Sequence, residues 1–539
     1  MTRTALDYPS VDVGAVLAGA AHHYPHRLAV RDGERTLTFA QLHDQAMHFA
    51  RGLREYGIGP GDTVLLLLPN TLWFPVAYWG TLYAGAVVSP ANPAQPAAAL
   101  ATQIEDSGAR AVIVPGPEAL AQAPSGRTVV VPAEALLRYG TTERVPRRPE
   151  DLAHLSYTGG TTGRSKAVRV LHRNLVANVT QVSWVRAAAR TMLVDGVLGA
   201  EQDKERATPW HRSPGTGVTL AVAPLFHALG LASMVANTLV GTTTVLSSRF
   251  DPERFLADVD EHQVTLLNGS PTMYRALLAA PAAAGRRLES VSVVNSGAAP
   301  IDPETWRRLG ELFPNARITE GYGLTEATVA LAIHPLDSGA GIPPGSVGLP
   351  LPDTELSIRD LTDLERALPV GETGEVWARG PQITDGYHGR VDLTADQFRY
   401  GGWLRTGDIG RLDDRGHLFL SGRAKDMLIY KGYNVYPLHL EDILAGHPAV
   451  AAASVIGAPH PEAGEIPAAY VVLRDGARAT AEELMAYVAE RVAPYQRVRE
   501  LHFVRALPVS AAGKILKNEL RARHAEAAAA AAQDSRRQA

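Results

Sequence analysis

The chain contains no cysteine among its 539 residues. That excludes disulfides, thiolate catalysis, cysteine-ligated zinc and iron–sulfur clusters. A disulfide-free chain suits a reducing compartment, so a cytoplasmic protein is expected. An excess of charge is also missing: 52 Lys and Arg stand against 56 Asp and Glu, a formal −4. Such a balance offers no electrostatic footprint for nucleic acid. There is no G-x-S-x-G elbow and no H-E-x-x-H pair, which argues against the hydrolases and zinc peptidases built on them. The N-terminus, MTRTALDYPSVDVG, carries Asp7 and Asp12 and no apolar run, unlike a signal peptide. Between Asp62 and Glu105 charged residues are absent altogether. Leu72–Val88 there is short for a membrane span and is interrupted by Pro75, Gly80 and Gly85. A buried helix leading into a strand is expected instead, and no membrane span.

What is present is ordinary globular material, 46% hydrophobic and 20% charged, long enough for two or more domains. Leu28–Val30 and Leu37–Phe39 read as a hairpin around Asp32-Gly33, and Thr38 as the cap of a helix to about Tyr56. Apolar runs at Val64–Leu68, Val129–Val131, Val218–Ala223, Thr243–Leu246, Thr265–Leu267 and Val291–Asn295 alternate with helical patterns. This predicts an α/β fold with mostly parallel sheets flanked by helices. Residues 186–216, rich in charge and carrying Pro209, Pro214 and Gly215, read as a long mobile loop. Gly410–Leu412 and His417–Leu420 read as a strand pair. After Gly422 the pattern becomes a compact α+β unit, so a boundary is set there: 1–421, 422–524, and a flexible tail at 525–539 whose Ala run is expected to fray.

The richest stretch is LSYTGGTTGRSKAV, Leu155–Val168. Gly159, Gly160 and Gly163 allow positive φ and close backbone approach. Consecutive amides in such a loop cradle anions, Thr158, Thr161 and Thr162 add hydroxyls, and Lys166 adds a cation. A polyphosphate is the natural guest. It is not a P-loop, because Ala167 stands where that motif needs a Ser or Thr for Mg²⁺. Taken alone, it also fits a Gly/Thr surface turn. In EGYGLTEAT (Glu320–Thr328), Gly321 and Gly323 flank Tyr322, an aromatic face for a base. Thr325 and Glu326 suit a phosphate and Mg²⁺; a capped strand-to-helix turn fits equally. NSGAAP (Asn295–Pro300) follows a strand, where open α/β sheets bind ligands. Asp408 in RTGD suits two ribose hydroxyls with Arg423 assisting, or caps a turn. Lys514 sits on a glycine-flexed loop before a helix, as either a functional or a solvated lysine. His227 in PLFHALG reads as either a pocket wall or a core histidine.

In this order the fragments resemble the adenylate-forming superfamily of acyl- and aryl-CoA synthetases, luciferases and peptide-synthetase adenylation domains. The similarity runs from about residue 20 to 523, and is greatest to the 4-coumarate and medium/long-chain acyl-CoA ligase branch. It implies a large N-terminal domain with a β-barrel-like subdomain and a small mobile C-terminal domain. It implies Mg·ATP, attack of a carboxylate on the α-phosphate, an acyl-adenylate and pyrophosphate, then transfer to the thiol of coenzyme A. In that scheme the 158–166 loop holds the β- and γ-phosphates and Lys514 bridges carboxylate and α-phosphate. Thr325 and His227 join the catalytic set and Glu326 holds the metal. Tyr322 stacks on adenine beside Gly297, Ala298, Ala299, Glu320, Gly321 and Gly323. Asp408 and Arg423 hold the ribose, Lys425 is the hinge, and Lys431 and Gly432 approach CoA.

Some positions depart from the superfamily's pattern. Gly159 replaces a usual Ser, Ser165 a Pro, Ala167 a Gly, and Ile429 a Lys that many relatives use in the second half-reaction. The implied acyl pocket takes in His227, Ala228, Gly269, Ser270, Gly297, Ala298, Gly321, Gly323 and Thr328. Small side chains there, with no acid to meet an amino group, point to a bulky aryl, aliphatic or polycyclic acid rather than an amino acid. The remaining alternative is adenylation alone, with the acyl group handed to an acyl carrier protein or separate transferase. A monomer or homodimer is expected.

Overall fold

The computed structural model describes residues 5–117, 128–140, 142–158, 165–297, 301–337, 341–509 and 515–538, with the backbone alone at 400 and 529–538. Two parallel-rich sheets dominate the large N-terminal domain. One has nine strands in the order Leu349–Pro350, Val329–Ile333, Arg317–Leu324, Val293–Ser296, Leu266–Gly269, Val218–Ala221, Thr243–Leu246, Leu28–Asp32, Arg35–Thr38. The other has six, from Val129–Pro132 through the fully buried Thr63–Leu66 and Val87–Pro90 to the antiparallel pair Leu152–Thr158 and Lys166–Leu171. Buried on both faces, such strands read as continuous apolar runs. A five-stranded antiparallel sheet, including Trp403–Leu412 and Leu418–Arg423, follows in the chain. The smaller C-terminal domain packs helices Pro437–Ala445 and Ala481–Ala489 on a five-stranded sheet.

Local chemistry explains the main elements. Thr38 and Gln41 form a reciprocal capping box for helix Phe39–Glu55. Asp251, Ser270 and Asp302 each cap a helix whose first residue is proline. The uncharged stretch is a helix, Trp73–Tyr83, leading into strand Val87–Pro90, and its Tyr78, Trp79 and Tyr83 are wholly buried. No helix among the described residues is long and apolar enough to cross a membrane.

One expectation is corrected. Residues 186–216 are not a featureless loop: Ala189–Val194 and Val197–Gln202 form an antiparallel hairpin. Asp195 and Gly196, both at positive φ, make its two-residue turn. Leu198 is fully buried against helix Gly14–His23, where Gly19 lets the backbones meet. Strand Lys166–Leu171 follows the glycine loop, and the expected helix begins at His172. Lys517–Gln538, which takes in the tail segment, is one helix. Alanine is the strongest helix former, and the helix is pinned at its start by buried Leu520 and an Arg521–Asp426 ion pair.

Candidate active site

The antiparallel pairing Thr158↔Lys166 closes the base of the glycine loop, and Ser165 Oγ donates to Thr158 O at 2.6 Å. Gly159, Gly160, Thr161, Thr162 and Gly163 lie outside the described residues, as do Ala298, Ala299 and Lys514. The outer edge of strand Lys166–Leu171 pairs with the chain at 386–388: His388 N–H bonds Ala167 O and Val168 bridges Tyr387. This pairing sets Lys166 Nζ 5.0 Å above the Tyr387 ring.

Tyr387 also faces the other way, donating its hydroxyl to Glu326 Oε1 at 2.7 Å. Burial and the Glu326 charge push this phenol far up, so it stays a donor. Glu326 sits on the short 3₁₀ turn Thr325–Ala327 after strand Arg317–Leu324. Its backbone carbonyl accepts both N–H and hydroxyl of Thr384. Thr328 and Val329 follow at φ +51° and +96°, a strained bend of the kind that collects at functional sites. Thr328 Oγ1 is spent on Gln382 O at 2.7 Å.

On the same strand, Tyr322 is buried and donates to Asp408 Oδ2 at 2.6 Å, while Arg423 Nε meets Asp408 Oδ1 at 2.7 Å. Asp408 and Arg423 are register partners on neighbouring strands. Burial works against the Arg423 charge, but Asp408, Tyr322 and Glu326 outweigh it and hold the guanidinium above its usual range. Lys166, Tyr387, Glu326, Arg423, Asp408 and Tyr322 therefore form one connected electrostatic group. Glu320 is buried, accepts from Ile301 N–H at 3.0 Å, and is pushed up to about 7 by burial, with Asp442 of the C-terminal domain adding to the shift.

The glycines divide into two kinds. Among the described residues a Cβ on Gly297 would meet only Gly321 O at 3.8 Å, and one on Gly321 would sit in ordinary contact with Ala332 O at 3.5 Å, so packing does not force glycine at either position. One on Gly323 would strike Val329 O at 1.5 Å, and one on Gly269 the Met273 side chain at 2.1 Å, so their smallness serves packing. Gly297 N–H bonds Gly269 O, aligning the strand ends. Ser270 caps its helix through Met273 N–H, and His227 stands exposed at the head of helix Ala228–Leu239. Lys425 is exposed on a 3₁₀ turn, and Lys431-Gly432, both at positive φ, tip the exposed hairpin Leu428–Tyr430/Tyr433–Val435.

Sequence reasoning missed Tyr387 and Thr384. The only signal was an aromatic beside Gly386, and nothing local tied it to a strand more than 200 positions earlier.

The order of these parts agrees with known proteins. Residues 17–388 match the AMP-binding enzyme family, and 439–514 the AMP-binding enzyme C-terminal domain. The chain is 34% identical to the 4-coumarate–CoA ligase-like 9 of Oryza sativa subsp. japonica, across 95% of this chain and 92% of that one. It is 36% identical to a feruloyl-CoA synthase of Amycolatopsis sp, across 93% and 96%. Among solved structures, ATP-bound MatB from Rhodopseudomonas palustris superimposes with a TM-score of 0.85 at 27% identity, covering 96% and 99% of the two chains.

Proposed function

Because this chain belongs to the AMP-binding enzyme family, as an AMP-forming acid–CoA ligase, we propose that its acid is a bulky aryl or hydrophobic carboxylic acid. The acid is activated as an acyl-adenylate and then passed to the thiol of coenzyme A. The observation carrying this reading is the single group Lys166–Tyr387–Glu326 with Tyr322–Asp408–Arg423. It brings one cation for phosphates, one carboxylate for a metal and one carboxylate for a ribose into mutual electrostatic reach.

Two anions must meet in the first step, so catalysis is chiefly neutralisation and positioning. The acid's carboxylate oxygen attacks the α-phosphorus, the α–β bridge breaks, and pyrophosphate leaves against Lys166 and the loop amides. Lys514, outside the described residues, bridges the reacting carboxylate and the α-phosphate by resemblance. Asp408, which accepts from the Tyr322 hydroxyl and pairs with Arg423, is assigned to the ribose hydroxyls by resemblance. Tyr322, pinned at its hydroxyl, presents its ring to adenine between the Gly321 and Gly323 backbones. Glu326 suits Mg²⁺, which typically takes one or two protein carboxylates and fills its shell with phosphate oxygens and water. One of its oxygens is oriented by Tyr387. When bound, the ion would screen phosphate charge. In the second step the thiolate sulfur attacks the acyl carbonyl and AMP leaves. A hinge at Lys425, between 1–421 and 422–524, would bring the Lys431-Gly432 tip to CoA.

The resemblance puts the acyl pocket along Gly297 and Gly321, positions where packing does not force glycine. The relatives named for coumarate and feruloyl groups favour an aryl acid here. Ile429, half exposed where many relatives carry Lys, favours adenylation alone as the second reading. Pyrophosphate release across a panel of carboxylic acids, with and without CoA, separates them. An acyl-CoA product supports the ligase reading; pyrophosphate without a CoA ester supports the alternative. Acetate as the best substrate would overturn the bulky-acid reading.

A further inference from the structure

Helix His172–Ala187 delivers Arg186 from its last turn. Nη2 donates to Asn295 Oδ1, and Nη1 to Thr319 Oγ1 at 3.1 Å. Asn295 precedes Gly297 by two residues, and Thr319 precedes Gly321 by two, on neighbouring strands in register. The guanidinium is therefore clamped at the base of the two strand ends that carry Gly297 and Gly321. Both acceptors are neutral. Among the described residues no carboxylate offsets the charge, and the titratable neighbour is the phenol of Tyr274, which donates to Asn295 O.

The surroundings make this more unusual. Protein encloses Arg186 and burial pulls it down to about 10, still a cation at neutral pH, yet the side chain keeps accessible surface. Burial holds His211 and His334 neutral, pushed down to about 4, with Arg186 contributing to both shifts. Arg317 is close by, under the ring of Trp210. Trp210 and His211 belong to the 203–216 segment that follows the hairpin, and His211 there feels the Arg186 charge. A buried charge without a counter-ion is costly, and guanidinium carries five N–H donors. Two are bonded here, to neutral acceptors, and the side chain is not wholly covered.

We propose that Arg186 is the far-end anchor of the acyl pocket. The preferred acid then carries a second acceptor oxygen remote from the reacting carboxyl, best an anionic one such as a second carboxylate. This rests on the acyl-pocket assignment above. The anchor works by selection: an acid ending in hydrocarbon leaves the remaining guanidinium donors unpaired, and a site built to bond a polar group strongly rejects the analogue lacking it.

The test is kcat/KM for pyrophosphate release on matched acids: cinnamate, 4-hydroxycinnamate and 4-carboxycinnamate, and octanoate against octanedioate. The wild-type enzyme is expected to favour the acceptor-bearing member of each pair at least tenfold, the carboxylate more than the phenol. In Arg186→Met the ratio within each pair should collapse toward one, and Arg186→Lys should restore preference for the carboxylate alone. Equal or better use of the plain acids by the wild-type enzyme overturns the proposal without any variant. So does an Arg186→Met protein, folded by thermal melting, that keeps the same ratio while losing rate on every acid, because that marks a purely structural arginine. Absence of pyrophosphate with every acid would instead defeat the ligase reading itself.

Discussion

Tyr387→Phe is the sharpest probe of the connected site. The substitution removes one oxygen and keeps the ring, so Lys166 retains its aromatic partner at 5.0 Å and the edge contact to Phe398 at 5.8 Å survives. What is lost is a 2.7 Å hydrogen bond to a carboxylate. A bond to a charged group is worth about 1.5–3 kcal/mol, which corresponds to roughly 10- to 150-fold in rate if the bond orients Glu326 in the transition state. Adenylation kcat/KM should therefore fall by that factor, with a higher Mg²⁺ requirement. Tyr387→Leu should lose a further ~0.5–1 kcal/mol through the missing cation–π contact. The assay is steady-state pyrophosphate release at saturating acid with Mg·ATP varied. A double-mutant cycle with Glu326→Gln isolates the coupling. If Tyr387→Phe stays within about twofold of wild type, or costs as much in the Glu326→Gln background as alone, the Tyr387–Glu326 bond plays no part in catalysis.

Asp408→Asn should raise KM for ATP more than about tenfold and lower Tm, because Arg423 loses the charge that compensates it; the pair is partly exposed, so the loss should fall below the ~3–5 kcal/mol of a fully buried one. Unchanged ATP kinetics would refute the ribose assignment. Glu320, raised in the folded state to about 7, binds its proton more tightly folded than unfolded. Its stabilising contribution is full below about pH 4.5 and is lost as pH rises through about 7, up to about 3 kcal/mol. Urea unfolding at stepped pH should show that slope, and Glu320→Gln should remove it. Gly19→Ala would set a Cβ 1.9 Å from Leu198 O. It should cost about 1–3 kcal/mol by overpacking, and a melting temperature equal to wild type would mean the inserted hairpin does not pack on the first helix.

Much of this molecule was legible from residue types alone, because the deciding interactions are local. Apolar runs marked the parallel strands, Thr38 marked a helix start, and the uncharged Leu72–Val88 stretch marked a buried helix entering a strand. Tyr322, Glu326, Asp408 and Arg423 were named from short motifs that each allowed a bland reading, and the fold brings the four into one electrostatic group. The Asp195-Gly196 turn was equally local, yet the charges and prolines of 203–215 hid it. Tertiary structure alone decided the rest. Tyr387 reaches Lys166 and Glu326 only because strand Lys166–Leu171 has a free edge that residues 386–388 fill. Arg186 becomes an uncompensated cation only because two strands more than a hundred residues away meet its helix end. Which glycine is forced by a close neighbour and which could carry a side chain, as Gly323 and Gly321 divide, depends on what the fold brings within four ångströms of each, and no pattern in the chain encodes that distance.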